Sequence, residues 1–107
     1  MKKIVEDGAT YDEWQIALIS EVMESVKREL DTAKMEPAIV RDLTERISFS
    51  VACLIDGSAT VEVGGDELDP ILTFATEEGD LVTCGGNSYM HEYVFEVADE
   101  VFGQKAS

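Results

Sequence analysis

Ile47-Ser48-Phe49-Ser50-Val51-Ala52-Cys53-Leu54-Ile55-Asp56-Gly57 can be read in two ways. Ile47, Phe49, Val51, Cys53 and Ile55 alternate as in a strand, and Asp-Gly is a favoured hairpin turn. Ile47, Val51, Leu54 and Ile55 also continue a helical stripe that starts at Val40 and Leu43. The upstream residues decide between them. Pro37 suits the first turn of a helix, where its missing N–H is harmless, and Arg41 with Glu45 and Asp42 with Arg46 set opposite charges four apart. Gly57, free to turn left-handed, stops the helix. We therefore read a helix over 37–55 that buries Val40, Leu43, Ile47, Val51, Leu54 and Ile55, which confines any sheet to the chain beyond Gly57.

Upstream, Thr10-Tyr11-Asp12-Glu13 fits a capping box, with the Thr10 hydroxyl accepting from the Glu13 amide. Ile16, Ile19, Met23, Val26, Leu30 and Ala33 follow at steps of three and four, widened by Trp14, Leu18 and Val22, and predict a helix over 11–34. It would be about 36 Å long, against a radius of gyration of about 13 Å expected for a chain of this size. Its stripe suits packing on the next helix, the preferred reading. It also suits a seam with a second copy, in which Ile16, Ile19, Met23, Val26 and Leu30 would form the oligomer interface of a homodimer.

Downstream the period falls to two. Ala59, Val61 and Val63 mark a strand, Gly64 to Glu67 a turn, Leu68 to Thr76 a second strand, Glu77 to Gly79 a turn, and Asp80 to Cys84 a third strand. Pro70 lacks a ladder donor, so the second strand is expected at an edge or bulged there. Gly85-Gly86 ends the sheet. Asn87 or Ser88 would cap a last helix that buries Met90, Val94, Val97, Ala98 and Val101 and closes at Gly103. The expected fold class is α+β: two N-terminal helices, a small three-stranded antiparallel sheet and a C-terminal helix (αα-βββ-α), one domain over 1–107.

Charge is the strongest functional clue. Net charge is −15 over 107 residues, and from Ile47 through Gln104 there are twelve carboxylates with no lysine or arginine. Burying an unpaired carboxylate costs several kcal/mol, so all twelve are expected in water. Their field attracts basic surfaces and repels nucleic acid and anionic lipid, so neither direct nucleic-acid binding nor membrane association is expected. A salt-adapted proteome would explain the acidity less well, since fourteen of the acids are Glu, nine are Asp, and five lysines remain. The 45% hydrophobic content argues against disorder. No apolar run approaches bilayer length, and Met1-Lys2-Lys3-Ile4-Val5-Glu6-Asp7 lacks a signal peptide's apolar region. Cys53 and Cys84, without CxxC spacing, are expected as reduced, buried thiols in a cytoplasmic protein.

Motifs for chemistry are sparse. Gly64-Gly65-Asp66-Glu67-Leu68 resembles the signature loop of diguanylate cyclase domains over these five residues. The chain lacks the preceding metal-binding aspartate motif and the basic nucleotide contacts of that family, and ordinary turn chemistry accounts for the segment. His91 is the only histidine. A Ser-His-Asp set would have to be assembled from scattered parts, and no second histidine or close cysteine pair supports a zinc site with Cys84 or Glu92. No calcium loop is present, and an anion at Gly85-Gly86 would sit in a negative field. No catalytic residue, metal ligand or cofactor is assigned.

Glu92, Glu96 and Asp99 or Glu100 fall in a row on the last helix, although like charges four apart repel by about 0.2–0.5 kcal/mol each. Glu77, Glu78 and Asp80 make a second acidic cluster. Rules broken without visible compensation tend to mark function, so these seven are the partner-binding candidates. Two function classes follow. One is a small acidic antagonist that occupies a basic protein surface, such as a nuclease, toxin or nucleic-acid-binding complex, as a nucleic-acid mimic or an immunity protein does. Small acidic phage inhibitors of host defence are similar in size and charge. The other is a homodimeric structural or regulatory module without catalytic activity.

Overall fold

The structure, a computed structural model, describes residues 3–103. Met1 and Lys2, which open the segment expected to lack a leader's apolar region, lie outside the described residues, as do residues 104–107. The chain has the α+β class, with β1 (Ile4–Glu6), α1 (Gly8–Thr32), α2 (Pro37–Asp56), β2 (Val61–Val63), β3 (Asp66–Leu68), β4 (Phe74–Ala75), β5 (Leu81–Thr83) and α3 (Met90–Val101).

The segment 47–56 is helical. Helix α2 starts on Pro37 and ends on Gly57, whose φ of +77° supplies the left-handed cap and whose N–H donates to the Cys53 carbonyl. Helix α1 starts three residues before the expected capping box. Asp7 is its N-cap and accepts from the Thr10 amide at 3.1 Å and the Thr10 hydroxyl at 2.8 Å. The start moves because Ile4–Glu6 pairs in parallel with Leu81–Thr83, and the Asp7 amide donates to the Thr83 carbonyl. That strand lies at a sheet edge with Ile4 77% exposed, too short and too open to leave a periodic signal.

The three-stranded sheet has the order β1-β5-β4, parallel on one side of β5 and antiparallel on the other. β2 and β3 form a separate antiparallel hairpin whose turn is Gly64-Gly65, with φ of +58° and +88°. Two successive positive φ values are what a two-residue hairpin of this hand requires, which places the Gly64–Leu68 motif in plain turn chemistry. The stretch expected as one strand from Leu68 to Thr76 is divided between the two sheets. Pro70 lies in the break, with its carbonyl accepting from Asn87 Nδ2 at 2.7 Å.

The core lies between the three helices. Tyr11, Gln15, Ile19 and Met23 form the buried row of α1; the expected stripe contained Ile19 and Met23 but not Tyr11 or Gln15, and its Ile16, Val26 and Leu30 are half-buried and its Ala33 exposed. Met90, Val94, Val97 and Ala98 form that of α3, as their spacing predicted. Ile19 and Met23 are fully buried inside a single chain, with Ile16 packed partly buried beside them. Full burial puts Ile19 and Met23 in the core of one chain, the packing preferred above, while Val26 and Leu30 at the far end of the stripe are half-buried. Helix α2 departs furthest from expectation. Its buried row is Val40, Thr44, Ser48, Ala52 and Asp56, whereas Ile47 and Leu54 are exposed. Bulky side chains on α1 and α3 fill the centre, and only a row of small residues on α2 lets the three helices close around them. The sheet packs on the first turns of α1, where Phe74 meets Tyr11 and Trp14 edge-on at 5.3 and 5.7 Å.

Candidate functional site

Helix α3 carries the candidate acidic row. Its buried residues recur on one side, which turns Glu92, Glu96 and Glu100 to the opposite side at successive steps of four, all exposed. Each step rises about 6 Å along the axis. No basic residue occupies the last turn of α3, so Glu100 faces the helix's own negative end uncompensated. The field of the row reaches its neighbour Tyr93. Burial raises that phenol's pKa above the usual value, and Asp12, Glu92 and Glu96 raise it further.

Asp99 is different. Half-buried, it accepts from Arg41 on α2 at 2.6 Å, while the same guanidinium meets Glu45 at 2.9 Å and lies 5.4 Å over the Phe102 ring. Bonds to Glu45 and then Asp99 raise the Arg41 pKa above its ordinary value. Asp99 therefore ties α3 to α2, leaving Glu92, Glu96 and Glu100 as the outward row. Glu77 and Glu78 are exposed in the turn between β4 and β5, and Asp80 is half-buried with its amide donating to the Thr76 hydroxyl at 3.1 Å. The row and the turn sit on different layers, because α3 packs on α1 and α2 while β5 packs on α1.

Beside the row is an apolar flank. Phe95 is 57% exposed, and its ring lies 6.0 Å from that of Phe49 on α2, which also meets the His91 ring edge-on at 6.0 Å. An exposed aromatic side chain therefore borders the outward carboxylates of α3.

One carboxylate of the twelve is not in water. Asp56 has a side chain with 0% exposure, and it accepts from the Ser88 hydroxyl at 2.5 Å, the His91 amide at 2.8 Å and His91 Nδ1 at 2.6 Å. Burial is tolerated because three donors and the positive end of α3 replace water. A serine, a histidine and an aspartate are thus brought together after all. Both the hydroxyl and the imidazole address the carboxylate, so the cluster works as a cap that joins the end of α2 to the start of α3. The expected local caps, Asn87 and Ser88, are superseded by Asp56 and by Gln15 of α1, whose Oε1 accepts the Tyr89 amide at 2.8 Å. Asn87 instead pins the loop before β4, accepting from the Leu72 amide at 2.8 Å and donating to the Ile55 carbonyl at 3.1 Å. The sequence hides this network because its partners lie 15 to 74 residues apart.

Cys53 and Cys84 are free thiols, half-buried rather than fully buried; burial, then Asp56, raises the Cys53 pKa. Among the described residues, no three His, Cys, Asp or Glu side chains group as a metal site, and no helix is long and apolar enough to cross a membrane. In comparisons with protein-family models, curated proteins and solved structures, nothing matches the chain.

Proposed function

We propose that the chain is a small acidic antagonist that occupies a cationic surface of a nuclease, toxin or nucleic-acid-binding complex. Its carboxylates stand where phosphates would, as in a phage anti-defence inhibitor or an immunity protein. The reading places it in the cytoplasm and gives it no catalytic step and no cofactor. The observation that carries it is the outward row Glu92–Glu96–Glu100, three exposed carboxylates about 6 Å apart along one helix, comparable with successive phosphates on a strand. A helix selected for stability alone would interleave lysines, because each like-charged step is unfavourable by about 0.2–0.5 kcal/mol. Exposed Phe95 beside the row supplies an apolar anchor, and buried aromatics dominate the energetics of many interfaces.

The test is capture from the native host on immobilised protein, eluted along a salt gradient. A basic, nucleic-acid-handling protein released by salt is expected, since exposed charge pairs are screened beyond about 8 Å at physiological ionic strength. The isolated chain should leave DNA and RNA unbound, because almost all non-specific affinity comes from cations on phosphates. Micromolar binding to nucleic acid alone, or capture of no basic protein, would overturn the reading.

A further inference from the structure

Helix α2 is turned inside out relative to an ordinary amphipathic helix. Its inward row is small and largely polar, and Thr44 Oγ1 and Ser48 Oγ are buried with no hydrogen-bond partner among the described residues. Its outward side carries Leu43, Ile47, Val51 and Leu54, while Val40 is buried and Ile55 packs against the core. Leu43, Ile47, Ser50, Val51 and Leu54 line a shallow groove bordered by Arg46, with Ile47 39% and Leu54 47% exposed. Single exposed leucines are ordinary on a protein surface. Here steps of four, three and four set Leu43, Ile47, Ser50 and Leu54 on one line about 16 Å long, the spacing of a helix-to-helix seam.

We propose that this line is a homodimer interface in which two copies of α2 pack antiparallel about a two-fold axis midway between Ile47 and Ser50. The spacing reads the same in both directions, so the two-fold sets Leu43 against the second copy's Leu54, and Ile47 against its Ser50. The small Ser50 lets the helix axes approach, and Val51 with the aliphatic stem of Arg46 widens the contact.

Charge selects the occupant. Residues 37–55 hold Arg41 and Arg46 against Asp42 and Glu45, two bases and two acids, so the net charge of −15 resides wholly outside them. Two copies repel each other over the rest of their surface and least across this face. A basic partner is drawn instead to the carboxylates on α3 and the sheet turn, and gains no attraction here. The antiparallel arrangement keeps the two basic halves apart and opposes the helix dipoles favourably. The line is narrower than a standard interface of about 1,200–2,000 Å², so the dimer forms in the micromolar range and depends on concentration.

Sedimentation equilibrium of the full chain from micromolar to millimolar concentration tests this. The mass should climb from the 11.8 kDa of one chain toward twice that value. Added salt should tighten association several-fold by screening like charge, the opposite of its effect on binding through the acidic row. Ile47→Glu and Leu54→Glu, each at a position already exposed in the monomer, should remain at the mass of one chain with wild-type circular dichroism. A wild type that stays monomeric at millimolar concentration, a dimer that survives both substitutions, or association weakened by salt would each overturn the proposal. None of these outcomes depends on whether the acidic row binds a partner.

Discussion

Replacing Asp56 by alanine should be among the most damaging single changes in this chain. The carboxylate is fully enclosed and receives the Ser88 hydroxyl, the His91 amide and His91 Nδ1. Alanine leaves all three donors without an acceptor. The imidazole, with its side chain 21% exposed, can turn to water, but Ser88 is buried and the His91 amide is fixed at the start of α3. Two stranded donors at about 1–3 kcal/mol each give a loss of about 2–6 kcal/mol, a large share of the roughly 5–15 kcal/mol that holds a domain together. At about 4–8 °C per kcal/mol, the melting temperature should fall by at least about 8 °C. Asparagine is the informative control. Its carbonyl can take the two His91 donors while its amide donates to the Ser88 oxygen, so Asp56→Asn should lose only about 1–2 kcal/mol of charge assistance. Thermal and urea unfolding followed by far-UV circular dichroism would measure both variants. An alanine variant within 1 kcal/mol of wild type, or an asparagine variant worse than alanine, would refute the capping role.

Ile19→Ala and Met23→Ala should each destabilise by about 2–5 kcal/mol in urea unfolding without altering association, because both side chains lie wholly inside one chain. Thr44→Val, which keeps the shape and deletes a buried unpartnered hydroxyl, should leave stability equal to wild type or raise it by about 1 kcal/mol in the same assay. Burial, then Cys84, raises the Tyr11 pKa above its reference of 10.0, and burial, then the nearby carboxylates, raises that of Tyr93. With the folded pKa above the unfolded one, this stabilisation is complete below pH 10 and is lost as pH rises through the folded value. Tyrosinate absorbance should therefore place both phenols above pH 10, and Glu92→Gln with Glu96→Gln should bring Tyr93 back toward it.

The sequence announced the helices more clearly than their contacts. Helices α1 and α3 were legible because their bulky residues face inward at steps of three and four, the geometry that periodicity assumes. Helix α2 was legible as a helix and illegible in its orientation, since the rule that large aliphatics are buried fails where Thr44, Ser48 and Ala52 must make room for Met23 and Met90. The edge strand Ile4–Glu6 exists through its pairing with β5, which no local pattern encodes. Asp56 was misplaced in water because what compensates it, Ser88 and His91, is more than thirty residues away. Of the acidic candidates, spacing alone identified Glu92, Glu96 and Glu100 as a row; only the placement of Arg41 separated Asp99 from them.

The most direct test of the acidic row is to present wild type and the triple variant Glu92→Gln, Glu96→Gln, Glu100→Gln, both immobilised, to the same host lysate at physiological salt. The triple variant should melt at or slightly above the wild-type temperature, since removing the repulsion and the unfavourable dipole contact is worth tenths of a kcal/mol. The account predicts that the wild type enriches a basic, nucleic-acid-handling protein at least tenfold over the variant, equivalent to about 1.4 kcal/mol. The same basic protein captured equally by both chains would contradict it.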